Sequence, residues 1–535
     1  MLLNLQSIKD KEAWESKGFT MPQYDVAALR KRTARKPMWL HFGAGNIFRA
    51  FPAVALQKLI NAGKTDRGVI VAECFDGDII ERAYQPYDNL SIYCELGKEG
   101  ISGKTVVASM TEALRCDGAN KEDEDRLHHV LCAPSLQMVS LTITEKGYAT
   151  TDANGRALPM VEKDIMLSPD HAQTTIGKLC AGLYFRFKAN AKPLALVSMD
   201  NCSRNGDKLR GAILYIAEGW RENNFVTKEF LNYIEKKVSF PISMIDKITP
   251  RPGTDVSGIL LNDGVDCALP FVTTRNTYTA CYVNAEETEY LVIEDKFPNG
   301  RPALEDAGIY FTDRDTVDKA ERMKVCTCLN PLHTALAVLG CMLGHTRICT
   351  EMQDQDLASL ITKMAYTEGL PVVVDPGIIK PEDFLSAVLN LRLPNVFMPD
   401  APQRIACDTS QKLPIRFGVT LRAYAASSTL DLNALKYIPF VLAAWLRYLT
   451  GIDDEGNVFE KSPDPMMPEL NTIFGDVKLG HQYKEGELNS FLCRADIFGV
   501  DLVAIHVAPK VEKYLNAMLE GKGAVRKVLH ALVTE

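Results

Sequence analysis

Short apolar runs alternate with stretches of helical periodicity through roughly the first three hundred residues. The run Met38-Trp39-Leu40-His41-Phe42 is followed at once by Gly43-Ala44-Gly45, and then Ile47, Phe51, Val54, Ala55 and Leu59 recur at helical spacing. This reads as strand, tight turn, helix. A second apolar segment, residues 68–76, predicts a buried strand that ends in acids. Residues 137–144, 194–199 and 290–294 predict further strands, with a helix over 176–189. Strands alternating with helices predict a parallel α/β sheet. Beyond Arg301 the period becomes helical, at residues 331–343, 356–368, 381–391, 433–450 and 511–521. The expected organisation is therefore an α/β dinucleotide-binding domain over residues 1–300 and a mostly α-helical domain over 301–535 that carries substrate and catalytic groups. The basic cluster Arg30–Lys36 and the acidic run Glu122–Asp125 read as solvated helix faces.

Composition bounds the class without naming a chemistry. A chain of 535 residues with 46% hydrophobic and 24% charged residues is long enough to bury a large core, and it is neither disordered nor collagenous. A net charge of −8 offers no cationic field for nucleic acid, so any anionic ligand must be held by a few placed cations or backbone N–H groups. The 14 cysteines form no Cys-x-x-Cys pair, and the amino terminus is mixed and charged, so the expected compartment is the cytoplasm. The apolar runs 335–343 and 437–446 fall short of the roughly 20 residues that span a bilayer. The expected partner is a small molecule rather than nucleic acid or membrane, and the sequence carries no signal of oligomeric state.

Three segments carry candidate chemistry. In Gly43-Ala44-Gly45-Asn46-Ile47-Phe48, glycines after a strand let backbone approach a pyrophosphate, and the following helix presents N–H groups to it. Phe48 stands where the common fingerprint has its third glycine. Asp76 and Asp78 follow the second strand, where a carboxylate accepts hydrogen bonds from ribose hydroxyls and repels a 2′-phosphate, which favours NAD over NADP. In the segment from Lys324 to His333, Asn330-Pro331 has the chemistry of a helix cap with proline at the first helical position. A desolvated Lys324 can exchange a proton with a sugar hydroxyl, and an amide beside it can stabilise an alkoxide. The same residues also fit a capping asparagine, a surface lysine and a satisfied core histidine. Cys326, Cys328 and His333 lack the four-ligand spacing of a structural zinc site, so no metal is expected.

Several segments together resemble the polyol-specific long-chain dehydrogenases, the family of mannitol 2-dehydrogenase, fructuronate reductase and tagaturonate reductase. They are residues 41–51, 140–148, 198–207 (Ser-Met-Asp-Asn-Cys-Ser-Arg-Asn-Gly-Asp), 240–250 and 294–302, in the family's order. The resemblance implies a Rossmann-type first domain, a helical second domain and a metal-independent active site marked by a lysine, an asparagine and a histidine. Carried over residue by residue, Lys324 is implied to be the general acid/base, and Asn201 with Asn330 the oxyanion pair. His333 is implied to orient substrate and Glu145 to relay the lysine's proton, while Arg404, Lys412 and Asp246 match positions near the substrate.

One departure stands out: five residues separate Lys324 from Asn330, where the mannitol-type pattern has four. That departure, with Arg404 and Lys412 as possible carboxylate partners, turns the expected substrate toward D-fructuronate and D-mannonate, with D-mannitol and D-fructose, or tagaturonate, as the alternative. A silent NAD-binding regulator on the same fold and a zinc-dependent dehydrogenase are the readings from other classes.

Overall fold

The protein is described by a computed structural model that covers residues 1–535. The chain divides into two compact units, Met1–Asp318 and Lys319–Glu535.

The first unit is built on a six-stranded, wholly parallel sheet of β1 (Trp39–Phe42), β2 (Val69–Glu73), β3 (Met110–Arg115), β4 (Met138–Leu141), β5 (Leu194–Ser198) and β6 (Val238–Ser239). Its spatial order is β3-β2-β1-β4-β5-β6. This is the doubly wound order of dinucleotide-binding domains, in which the direction of winding reverses between β1 and β4, and ligands bind beyond the carboxyl ends of the strands there. The central strands are mostly apolar because both faces of the sheet are covered, while β3, Met-Thr-Glu-Ala-Leu-Arg, is mixed. Leu40, Phe42, Ile70, Ala72, Val139 and Leu141 pack on one side, with Leu127, Leu179 and Ile213 of the helices there. Trp39, Val69, Val71, Met138 and Val197 pack on the other, with Val54, Leu56 and Leu59.

Three smaller sheets accompany this core, the smallest a two-stranded ribbon of Phe271–Val272 and Tyr278–Thr279. The hairpin strands Ser91–Gly97 and Gly100–Val107 pair antiparallel, and Tyr282–Glu286 adds in parallel to the first of them. β7 (Ser243–Asp246) pairs antiparallel with β8 (Tyr290–Glu294), and β9 (Tyr310–Thr312) joins β8 in parallel. Because β9 belongs to this sheet, residues 301–318 lie with the first unit, so the division falls later than the expected position near residue 300.

The second unit is almost entirely helical. A helical run extends from α1 (Arg314–Met323) through a π turn at Lys324–Cys328 into α2 (Asn330–Met342). This corrects the expectation that Asn330 caps a new helix: Asn330 is the first residue of α2, preceded by helical turns, and its side chain makes no cap bond. The run is long and apolar enough to cross a membrane by composition alone, but 83% of its apolar window is buried inside the protein, as in a core helix. Further π turns lie at Met364–Gly369 and Val388–Arg392, each inserting a residue into the end of a helix.

Candidate active site

The turn after β1 is held from several sides. Gly43 has φ of +102°, and a Cβ on it would lie 2.2 Å from the Thr142 carbonyl oxygen at the exit of β4. Only glycine fits that close approach of two backbones. Nothing lies within 4 Å of where a Cβ of Gly45 would sit, so that side of the turn is open. The Ala44 N–H donates to Glu73 Oε2 at 2.9 Å, and its carbonyl accepts from the Tyr84 hydroxyl at 3.0 Å. Both backbone groups of Ala44 are thus spent inside the turn. Phe48 explains its own presence at the third-glycine position: it is fully buried and stacks on His41 at 3.9 Å between ring centroids, filling the space between helix and strand. His41 bridges Ser140 and Thr142, and burial pushes its imidazole down to about 3, so it is neutral. Asn46 and Ile47 open the short helix, and Asn46 accepts at its Oδ1 from the buried Arg49, which also donates to the Ala280 carbonyl and to Thr279.

Three acids close the end of β2. Glu73, which sequence reasoning passed over as part of the strand, accepts from the amides of Ala44, Phe75 and Asp76. Asp76 is buried and accepts at Oδ2 from Thr273 and Thr277, while its Oδ1 is buried with no hydrogen-bond partner. Asp78 is half-buried and accepts from the Thr274 amide and hydroxyl, which hold its carboxyl below the ordinary range.

The loop after β4 carries Glu145. Thr144 takes φ 65° and ψ 160°, a region that costs a β-branched residue roughly 1–3 kcal/mol. Asp200 stabilises that conformation, accepting from the amides of Ile143 and Thr144 and from the Tyr148 hydroxyl. Asp200 directly precedes Asn201, so one carboxylate ties the Glu145 loop to the Asn201 loop at the ends of β4 and β5. Sequence reasoning quoted Asp200 without assigning it. Glu145 itself is ion-paired with Lys208. Asp246 ends β7 and is buried.

In the second unit, Lys324 is only 4% exposed, which removes the surface-lysine reading. It opens the π turn, and the Leu329 amide donates to its carbonyl at 3.1 Å. His333 is not a satisfied core histidine: its Nε2 is buried without a hydrogen bond, with Asp400 Oδ2 3.6 Å away. Burial pushes His333 down to about 4; Asp400 favours its charged form, while Arg416, Arg404 and Arg392 oppose it. Arg404 is 65% exposed and pairs with Asp400. Lys412 donates to the carbonyls of Ile405 and Cys407, and burial lowers its pKa. Asp400, Arg392 and Arg416 were not singled out from sequence, where nothing marks them among the chain's many charged residues. No three His, Cys, Asp or Glu side chains gather as a metal site.

Residues 37–306 match the family model described as the mannitol dehydrogenase Rossmann domain, and residues 316–519 match the mannitol dehydrogenase C-terminal domain. The chain is 48% identical over 536 aligned residues to a D-mannonate oxidoreductase of Thermotoga maritima, covering 100% of this chain and 99% of that protein. It is 30% identical to a mannitol 2-dehydrogenase of Cereibacter sphaeroides, covering 84% and 87% of the two chains. Among solved structures it is similar to Pseudomonas fluorescens mannitol 2-dehydrogenase in a ternary complex with NAD and D-mannitol, with a TM-score of 0.70, 26% identity and full coverage of both chains. The chain belongs to the mannitol dehydrogenase family.

Proposed function

We propose that the protein is an NAD-dependent fructuronate reductase, that is, a D-mannonate oxidoreductase. The observation that carries this reading is the 48% identity to the Thermotoga maritima D-mannonate oxidoreductase, which runs the whole length of both chains. Two features of the fold support it. The opening at Gly45 and the unpartnered Asp76 Oδ1 suit a pyrophosphate and a ribose hydroxyl, with Gly43, Asn46, Ile47 and Asp78 completing the nucleotide site. The cations around His333 suit a substrate that carries a carboxylate.

When bound, the nicotinamide supplies the hydride for reduction of the keto carbon. The chain's own residues do the rest. Lys324 Nζ gives a proton to the keto oxygen as it gains charge, and takes it back in the oxidative direction. The side-chain amides of Asn201 and Asn330 hold the negative charge on that oxygen in between. His333, neutral and with Nε2 unspent, binds a substrate hydroxyl, and Asp246 lies among the substrate contacts. Glu145 passes the lysine's proton toward solvent.

Oxidation by NAD of D-mannonate, D-altronate and D-mannitol, compared at equal concentration, tests the reading. NADH formation with D-mannonate at a rate well above the other two is the expected result. Turnover of D-mannitol alone would make the protein a mannitol 2-dehydrogenase, and cofactor binding without turnover of any sugar derivative would make it a silent regulator.

A further inference from the structure

Two buried arginines in this chain, Arg186 and Arg447, have every nitrogen occupied. Arg186 donates to five backbone carbonyls, those of Lys192, Leu131, Ala133, Leu136 and Pro193. Arg447 spreads its three nitrogens over Met518, Thr450, Ile452 and Asp453. Arg416, the last residue of the helix α3 (Thr409–Arg416), differs. Its Nη1 donates to the Thr334 hydroxyl and, at 3.4 Å, to the Asn330 carbonyl. No hydrogen bond occupies Nε or Nη2, neither atom is sealed from solvent, and no carboxylate pairs with the guanidinium. Burial alone lowers its pKa to about 10, so the charge is held in a desolvated place without a counter-ion. A half-anchored guanidinium keeps one edge in fixed orientation, and the Nε–Nη2 edge matches a carboxylate in bidentate geometry. The anchor lies on the first turn of α2, beside His333, whose charge it opposes. The two cations nominated from sequence are already committed, Arg404 to Asp400 and Lys412 to two carbonyls of its own loop.

We propose that Arg416 recognises the substrate's carboxylate through its Nε–Nη2 edge and so selects keto-sugar acids over neutral ketoses. This rests on the keto-uronate reading above, and Arg416 is a specificity residue, not the proton donor.

The test begins with the intact wild-type enzyme, NADH and D-fructuronate; absence of turnover there would overturn the functional reading itself. Given turnover, Arg416→Gln is expected to raise KM for D-fructuronate at least about 30-fold, the lower bound for removing one partner of a buried charge pair. NADH binding is expected to stay within about twofold, and the thermal shift produced by D-mannonate to disappear. Arg416→Lys keeps the charge but not the fork, folds more readily, and is expected to raise KM by about tenfold. A KM change under threefold in either variant, or NADH affinity falling in parallel with KM, would assign Arg416 to the fold and overturn the proposal. D-fructose 6-phosphate used better than D-fructuronate would overturn it as well.

Discussion

The amide of Leu329 donates to the carbonyl of Lys324, five residues back, at 3.1 Å. That bond closes a π turn, which takes one residue more than an α turn. The extra residue between Lys324 and Asn330 is therefore absorbed, and a six-residue step here presents side chains much as a five-residue step of plain α-helix does. Deleting Cys326 should convert the π turn to α and leave Lys324 and Asn330 facing each other as before. Turnover should stay within about tenfold of the wild type, while Lys324→Ala loses about 100-fold or more with NADH affinity retained. Single-turnover rates beside NADH titrations check this; turnover of the deletion variant falling to the level of Lys324→Ala would show that the π turn does not absorb the extra residue.

His333 should be neutral at every pH where the enzyme works, since burial holds it at about 4. Its depressed pKa contributes stability that is fully present above the unfolded value of about 6.5 and lost as pH falls from there through 4. The kcat/KM profile should show no limb near 6.5 from this residue. His333→Asn, neutral throughout, should flatten the acid loss of stability and raise KM rather than lower kcat. Denaturant melts from pH 4 to 8, with paired rate profiles, measure both.

Glu351 has both carboxyl oxygens buried without a hydrogen bond, and burial pushes its pKa up to about 9. A raised carboxyl titrates the other way. The unfolded chain ionises above about 4.5 while the folded chain does not, so stability declines as pH rises from there to 9. Glu351→Gln removes that slope and should gain about 3 kcal/mol at pH 7, which lies roughly 2.5 pH units above the point where the unfolded carboxyl ionises. A stability difference that does not change with pH between the two proteins would contradict it.

In the proposed nucleotide site, Asp76 Oδ1, buried without a partner, and Asp78 are the carboxylates expected to meet a ribose 2′-substituent. NADH should be preferred to NADPH by about 100-fold or more in kcat/KM, and Asp76→Ser should narrow the ratio. Because Asp76 also holds Thr273 and Thr277, the variant should lose some stability as well. Equal use of the two cofactors by the wild type would remove these acids from the nucleotide site.

Four of the six strands of the parallel sheet were legible because they are apolar runs covered on both faces, while the mixed Met110–Arg115 and the two-residue Val238–Ser239 were not. Trp39–Phe42, Val69–Glu73 and Leu194–Ser198 appear as uninterrupted runs. The Ser91–Gly97 and Gly100–Val107 hairpin was not, because its second strand is half-exposed and mixed in character. The π turns were hidden for another reason: one inserted residue shifts the hydrophobic period without adding any residue type that marks it. Among the candidate site residues, Gly43, Lys324 and His333 announce themselves by residue type and spacing. Glu73, Asp200 and Arg416 do not, since their roles come from partners 29, 56 and 82 positions away that only folding brings near.

On the proposed function, this family member reduces a keto-sugar acid rather than a neutral ketose. Initial rates with NADH and D-fructuronate, set against D-fructose under the same conditions, separate the two. The kcat/KM for D-fructuronate should be larger by at least about 100-fold, as expected when a site built around a charge meets a substrate that lacks it. Equal or greater efficiency on D-fructose would contradict it.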